Sequence, residues 1–221
     1  ADKLETELKK GSAQTVAVMA VLKELMEKHG NVVFGGDGYS SEWHRMAVEE
    51  RGLKNLPTTA DALPALREES VKKLFESTGV LSPVELESRY EVYAEQYILS
   101  IEVEAKLVVD MAKTMIYPAA IRYLSDLAMA ASSMADLNVE LDDSIAQKIA
   151  AEANAMLAAV ARLSAVIGRH DFASSEEHMK FCAHEIRPLM VAVRDHADAL
   201  EAEVADEMWP LPKYSEMLFI K

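Results

Sequence analysis

The chain has 221 residues, half of them apolar and 27% charged, with 23 Lys and Arg against 37 Asp and Glu for a formal net charge of −14. Enough hydrophobic material for a core excludes intrinsic disorder, and so acidic a balance offers no basic field to attract nucleic acid or an anionic membrane surface. The single cysteine, Cys182, excludes an intrachain disulfide, a four-cysteine zinc site and an iron–sulfur cluster, and fits a reducing, cytoplasmic setting.

The opening residues, ADKLETELKKG, are charged rather than signal-like, and no apolar run reaches the roughly 18 residues that span a bilayer. The chain begins at Ala1 without an initiator Met, as expected of a segment of a longer polypeptide. Residues 4–29 read as a helix weakened at Gly11, with Val16, Met19, Leu22, Leu25 and Met26 as its apolar stripe and Gly30 as its terminator. NVVFGGDGYSS, residues 31–41, holds a short apolar run, Val32 to Phe34, the one strand signal apart from Met217 to Ile220. Three glycines in four residues then force a loop. Ser41 is the expected cap of a short helix ending at Gly52, and a further short helix, residues 67–77, stops at Gly79.

Seven of the eight glycines lie before position 80, so the rest of the chain is almost free of breakers. Ser82, Pro83 and Glu85 form a capping box with proline at the first helical position. Tyr90, Ala94, Tyr97, Ile101, Val108, Met111 and Met115 then share a helical face, Pro118 kinks or breaks the helix, and the pattern continues to about Leu137. After a cap at Asp142 or Asp143, the helix ending at Gly168 carries Ile149, Ala153, Met156, Val160, Leu163 and Ile167 in four-three spacing. Ser174 and Glu177 open the last helix, with Met179, Cys182, Ile186, Leu189, Val193, Ala197, Leu200, Val204 and Met208 on one face and a bend at Pro188.

Chemical candidates are few. His178, Cys182 and Glu185 fall at i, i+4 and i+7 and could face a metal, but Cys182 lies on the apolar stripe and reads as a core residue. His184–Glu185 begins like HExxH and fails because the fifth residue is Pro188. Gly35, Gly36, Asp37 and Gly38 could aim N–H groups at an anion, but they match neither phosphate-binding glycine motif and read as a structural turn. Asp142 and Asp143 read as caps, and Tyr90, Tyr93 and Tyr97 as packing. Glu102 and Glu104 are mid-helix carboxylates, without the Glu-x-x-His partners of a di-metal bundle. WPLPKYSEMLFIK cannot be helical through Pro210 and Pro212 and reads as an extended arm that packs on its own or a neighbouring chain.

Two stretches carry a family resemblance: VVFGGDGYSSEWHRMAVEERGLKNLPTTADALPAL at 32–66 and WPLPKYSEMLF at 209–219. With GDGYS-x-EW, RGL-x-NL, TT-x-DALPAL and VLS-x-x-EL-x-SRYE in order, the chain resembles the C-terminal region of type III glutamine synthetase. The resemblance implies an ATP-dependent glutamate–ammonia ligase that works through a γ-glutamyl phosphate with Mg or Mn. It also implies that the metal, substrate and phosphate motifs lie upstream of the region resembled. Its implied partners are the remainder of the synthetase subunit and neighbouring identical subunits.

The expected architecture is all-α and a single structural unit: an antiparallel bundle of long helices at 81–208, a loop-rich subregion of short helices and the glycine loop at 1–80, and an extended docking tail at 209–221. No catalytic, cofactor or metal residue is assigned to the chain. Gly35, Gly36, Asp37, Gly38, Tyr39, Trp43, Trp209, Pro210, Pro212, Tyr214, Leu218 and Phe219 are the structural or interface candidates. A non-catalytic oligomerisation segment is the first functional expectation, and a free-standing helical scaffold or interaction domain is the second.

Overall fold

The computed structural model describes residues 2–218. They form helices and connecting turns, with no strand among them. The chain divides into two compact units, Ala1–Asn55 and Leu56–Lys221. The divide lies upstream of position 80, because residues 56–80 pack on the long helices.

The first unit contains α1 (Asp2–Lys9), α2 (Gln14–His29), a 3-10 turn at Gly30–Val32, and α3 (Ser41–Glu49). Gly11, at φ +87°, supplies the left-handed residue that reverses the chain between α1 and α2. Ala17 is fully buried, and Lys3 pairs with Glu24 across the hairpin. The stripe of Val16, Met19, Leu22, Leu25 and Met26 is helical as read but remains exposed. Val33 and Phe34 are coil rather than strand. The cap of α3 is Ser40, one residue before the expected one; its Oγ accepts the Trp43 N–H at 3.1 Å.

The second unit opens with α4 (Thr59–Ala62), a 3-10 turn at Leu63–Arg67 and α5 (Glu69–Ser77). Gly79, at φ +67°, ends α5 in a Schellman arrangement: its N–H donates to the Glu76 carbonyl, and that of Val80 to Phe75. The Ser82–Glu85 capping box is formed in both directions, and these hydrogen bonds hold the Glu85 carboxyl below its usual range.

Three long rods then run up, down and up. The first is α6 (Pro83–Met111), a π-helical turn at Ala112–Ile116 and α7 (Tyr117–Ala135); the second is α8 (Ser144–Val166). The third is α9 (Ser175–Phe181), a π-helical turn at Cys182–Ile186 and α10 (Arg187–Glu203). Helix α8 packs antiparallel to α7 and α10, and α6 lies along α9 and α10.

Each π-helical turn immediately precedes an x-Pro step, Tyr117–Pro118 or Arg187–Pro188. The Tyr117 and Arg187 N–H groups reach back five residues, to the Ala112 and Cys182 carbonyls. Widening the turn by one residue relieves the clash of the proline ring with the preceding turn. The helices therefore continue through both prolines, and Pro118 does not break its rod.

The core contains Ile149, Ala153, Met156, Val160 and Leu163 from α8, and Met179, Cys182, Ile186, Val193, Ala197 and Leu200 from the third rod, as their spacing predicts. On α6 the buried line runs through Leu86, Tyr90, Ala94, Ile98, Glu102 and Ala105; it shares Tyr90 and Ala94 with the expected stripe, whose Tyr97, Ile101 and Val108 are partly buried along the edge of the core. Tyr97 is partly buried against the core and Tyr93 is exposed. Asn138, at φ +59°, ends α7 in a second Schellman arrangement. Contrary to the expectation that no segment could span a bilayer, α8 is long and apolar enough by length and composition. Its inward face packs between α7 and α10.

Candidate functional site

The glycine loop is shaped by its own side chains. Asp37 Oδ1 accepts the Tyr39 N–H at 2.9 Å, and the Ser40 hydroxyl donates to the Asp37 carbonyl at 2.9 Å, so a carboxylate occupies the turn. Phe34 stacks on Trp43 with ring centroids 3.9 Å apart, and the Arg51 guanidinium lies 5.9 and 5.5 Å from the two rings. A Cβ on Gly36 would stand 2.6 Å from the Phe34 ring, while Gly35 and Gly38 have nothing within 4 Å. Gly36 is thus the glycine the stack requires. Tyr39, 95% exposed, projects from the turn.

The tail is extended only in part. After a 3-10 turn at Asp206–Met208, Trp209 is extended, and Pro210, Leu211 and Pro212 lead to α11 (Tyr214–Leu218). The expected continuous arm, and the strand signal at Met217, are therefore corrected: Lys213 and Glu216 start a helix, the Glu216 carboxylate accepting the Lys213 N–H at 3.0 Å. Trp209 is 8% exposed and belongs to the core, with Leu211 packed beside it. Pro210 is half-buried, while Pro212 and Leu218 are exposed. The Tyr214 side chain, Phe219 and Ile220 lie outside the described residues. Trp209 and Leu211 thus dock on their own unit, and Leu218 does not.

The sequence triad His178, Cys182 and Glu185 is not assembled: Cys182 is buried in the core and Glu185 faces solvent. His178 instead meets Glu102 of α6, its Nε2 lying 3.1 Å from Glu102 Oε1. His170, in the loop between α8 and α9, places Nδ1 3.7 Å from the same oxygen. The three ligand atoms all lie within 4.8 Å of one another. Phe172 stacks on His178 at 4.2 Å and touches Phe181, while Arg169 lies over both phenyl rings.

Sequence reasoning named His178 and Glu102 separately and passed over His170. In the structure Glu102 continues the four-residue spacing of Tyr90, Ala94 and Ile98, a line that the expected stripe leaves after Ala94. Elsewhere, His184 Nε2 lies 3.1 Å from Asp61 Oδ1, and the Thr58 hydroxyl, ahead of this imidazole, holds the Asp61 carboxyl low.

A family model, "Glutamine synthetase C-terminal domain", matches residues 17–135, more than half of the chain. The chain belongs to the glutamine synthetase C-terminal domain family. Its relatives include a type-3 glutamine synthetase of Dictyostelium discoideum, 36% identical over 97% of this chain, and a glutamine synthetase of Bacteroides fragilis, 30% identical over 97%. A Butyrivibrio fibrisolvens glutamine synthetase is 28% identical over 91% of the chain. The chain spans about 30% of the length of each of the first two relatives. The type III resemblance read from residues 32–66 and 209–219 is therefore sound, and it extends across helices whose alanine-rich pattern alone carries little specificity.

In this family member the one cysteine is chemically quiet. Burial, reinforced by the Glu102 carboxylate, pushes the Cys182 thiol up from 9.0 to about 11. Since the folded-state value is raised, the neutral thiol's contribution to stability is complete below pH 9 and is lost as pH climbs toward 11. Near neutral pH the native chain should resist iodoacetamide, with modification at least about a hundredfold slower than in denaturant. Mass spectrometry of timed aliquots measures this. Equal rates in both conditions would mean that Cys182 is accessible.

Proposed function

We propose that this chain is the structural and assembly segment of an ATP-dependent glutamate–ammonia ligase of type III. In this reading the ligase chemistry, with ATP and magnesium or manganese, belongs to other parts of the polypeptide. The segment packs on the remainder of its subunit and on neighbouring identical subunits. The observation that carries the proposal is the exposed stripe on α2: Val16, Met19 and Leu22 are each more than half exposed on a regular, well-formed helix. Contiguous apolar faces of this kind are characteristic of surfaces covered in an assembly. The chain's coverage of under a third of its relatives' length supports the same reading.

The test uses the full-length synthetase and the isolated chain. Glutamate- and ammonium-dependent phosphate release from ATP is expected from the full-length enzyme and absent from the chain. Met19→Asp with Leu22→Asp is expected to reduce the assembled mass by light scattering while circular dichroism stays helical. Turnover by the chain alone, or an unchanged mass in the double variant, would overturn the proposal. Failure of the first arm would locate catalysis here, and failure of the second would favour the free-standing scaffold reading.

A further inference from the structure

Glu102 is a charged residue buried in the second unit, with 7% of its surface exposed, in the line of side chains that α6 presents to the core. A carboxylate there needs a counter-charge and aligned donors. Its neighbour His178 does not supply an aligned hydrogen bond. The Nε2 atom is buried 3.1 Å from Glu102 Oε1, yet it has no hydrogen-bond partner among the described residues. A carboxylate oxygen and an imidazole nitrogen that face each other without alignment are what two ligands of one cation look like. His170 adds a third such atom from a separate segment.

We propose that Glu102, His170 and His178 form a zinc site, although the sequence reading assigned no metal to this chain. Tetrahedral zinc with nitrogen and oxygen ligands at about 2.0–2.2 Å requires ligand–ligand separations of about 3.3–3.6 Å. The separations of 3.1 and 3.7 Å about Glu102 Oε1 bracket that range. The His170–His178 edge is within 4.8 Å, and the His170 side chain, 65% exposed, has the freedom to rotate that edge into range. Two imidazoles and one carboxylate suit zinc, and the net charge of −14 favours cation entry.

The supporting shell is in place as well. Phe172 fixes the His178 ring by stacking, and Arg169 holds Phe172 and Phe181 from above. A cleft of about 440 Å³, lined in part by Glu95, Ser174 and Ser175, reaches the cluster and leaves room for water as the fourth ligand. The ligands come from α6, the loop after α8, and α9. Zinc would thus tie that loop to α6 and α9.

The test adds zinc chloride to the EDTA-treated, dialysed full chain near neutral pH and measures binding by calorimetry and by competition with a chromophoric chelator. One zinc per chain is expected, with a raised melting temperature. His170→Ala, Glu102→Gln and His178→Ala should each weaken binding on the order of tenfold or more. His184→Ala, at the Asp61 pair, should leave it unchanged. Should the two buried substitutions unfold the chain, His170→Ala, at an exposed position, decides the matter alone. Cobalt in place of zinc should show visible bands without a thiolate charge-transfer band, since Cys182 is not a ligand. Lack of stoichiometric zinc binding, unchanged affinity in His170→Ala, or a thiolate band would each overturn the proposal.

Discussion

Replacing Trp209 with alanine is expected to lower the melting temperature by about 10 °C. The indole is 8% exposed and sits in the core although its backbone lies outside the long helices. Truncating a buried aromatic costs about 3–5 kcal/mol, and a unit of this size loses about 2–4 °C per kcal/mol. The indole Nε1 is buried without a hydrogen-bond partner among the described residues, so Trp209→Phe should retain most of the stability. Leu218→Ala, at a position 72% exposed, should change stability by less than about 0.5 kcal/mol. Thermal circular dichroism on the three variants tests the series. If Trp209→Ala proved as mild as Leu218→Ala, the tail would be a loosely held end, not a docked one.

Tyr90→Ala should cost about 3–5 kcal/mol, whereas Tyr90→Phe should stay within about 1 kcal/mol of the parent. Tyr90 is fully buried, and its hydroxyl makes no well-aligned hydrogen bond among the described residues, the Arg67 guanidinium being the polar group beside it. The ring instead carries the Arg67 guanidinium 4.0 Å from its centroid. Phenylalanine preserves that cation–π contact and removes a polar atom without an aligned partner. Arg67 is also held by Glu87, whose carboxyl it lowers, and by Glu91 at 3.1 Å; Glu91 in turn accepts the Ser175 hydroxyl at 2.9 Å. This ring and its clamp join the 3-10 turn after α4 to α6 and α9. Chemical denaturation of both variants gives the two numbers, and a phenylalanine variant as unstable as the alanine one would show that the hydroxyl has a partner.

Most of the long-helix bundle could be read from the residues, because burial there repeats with the helical period. The α8 stripe and the face from Met179 to Val204 are buried where spacing placed them. Ser82–Glu85 and Ser174–Glu177 also marked helix starts correctly, although the Glu177 carboxylate turns to the Ala173 N–H instead of that of Ser174. Three features were hidden for distinct physical reasons. The exposed stripe of α2 has the same periodicity as a buried one, since pattern does not say what covers a face. The tail's short helix follows the second proline, where a local cap at Lys213–Glu216 outweighs the extended bias of the preceding residues. The Glu102–His170–His178 cluster joins residues 68 and 76 positions apart, and apolar periodicity cannot nominate a buried carboxylate.

The two widened turns that accommodate Pro118 and Pro188 have a mechanical consequence. They stand at different heights in the bundle: Ala112–Ile116 lies against α8 and α10, and Cys182–Ile186 lies against α6. Each interruption in one rod is therefore splinted by unbroken α-helix in another, as staggered joints are in a laminated beam. A bending load has no shared plane along which to fold the three rods. Flexing at one joint must instead strain intact helix beside it, so the bundle can carry two prolines within its long helices and still act as a stiff spar.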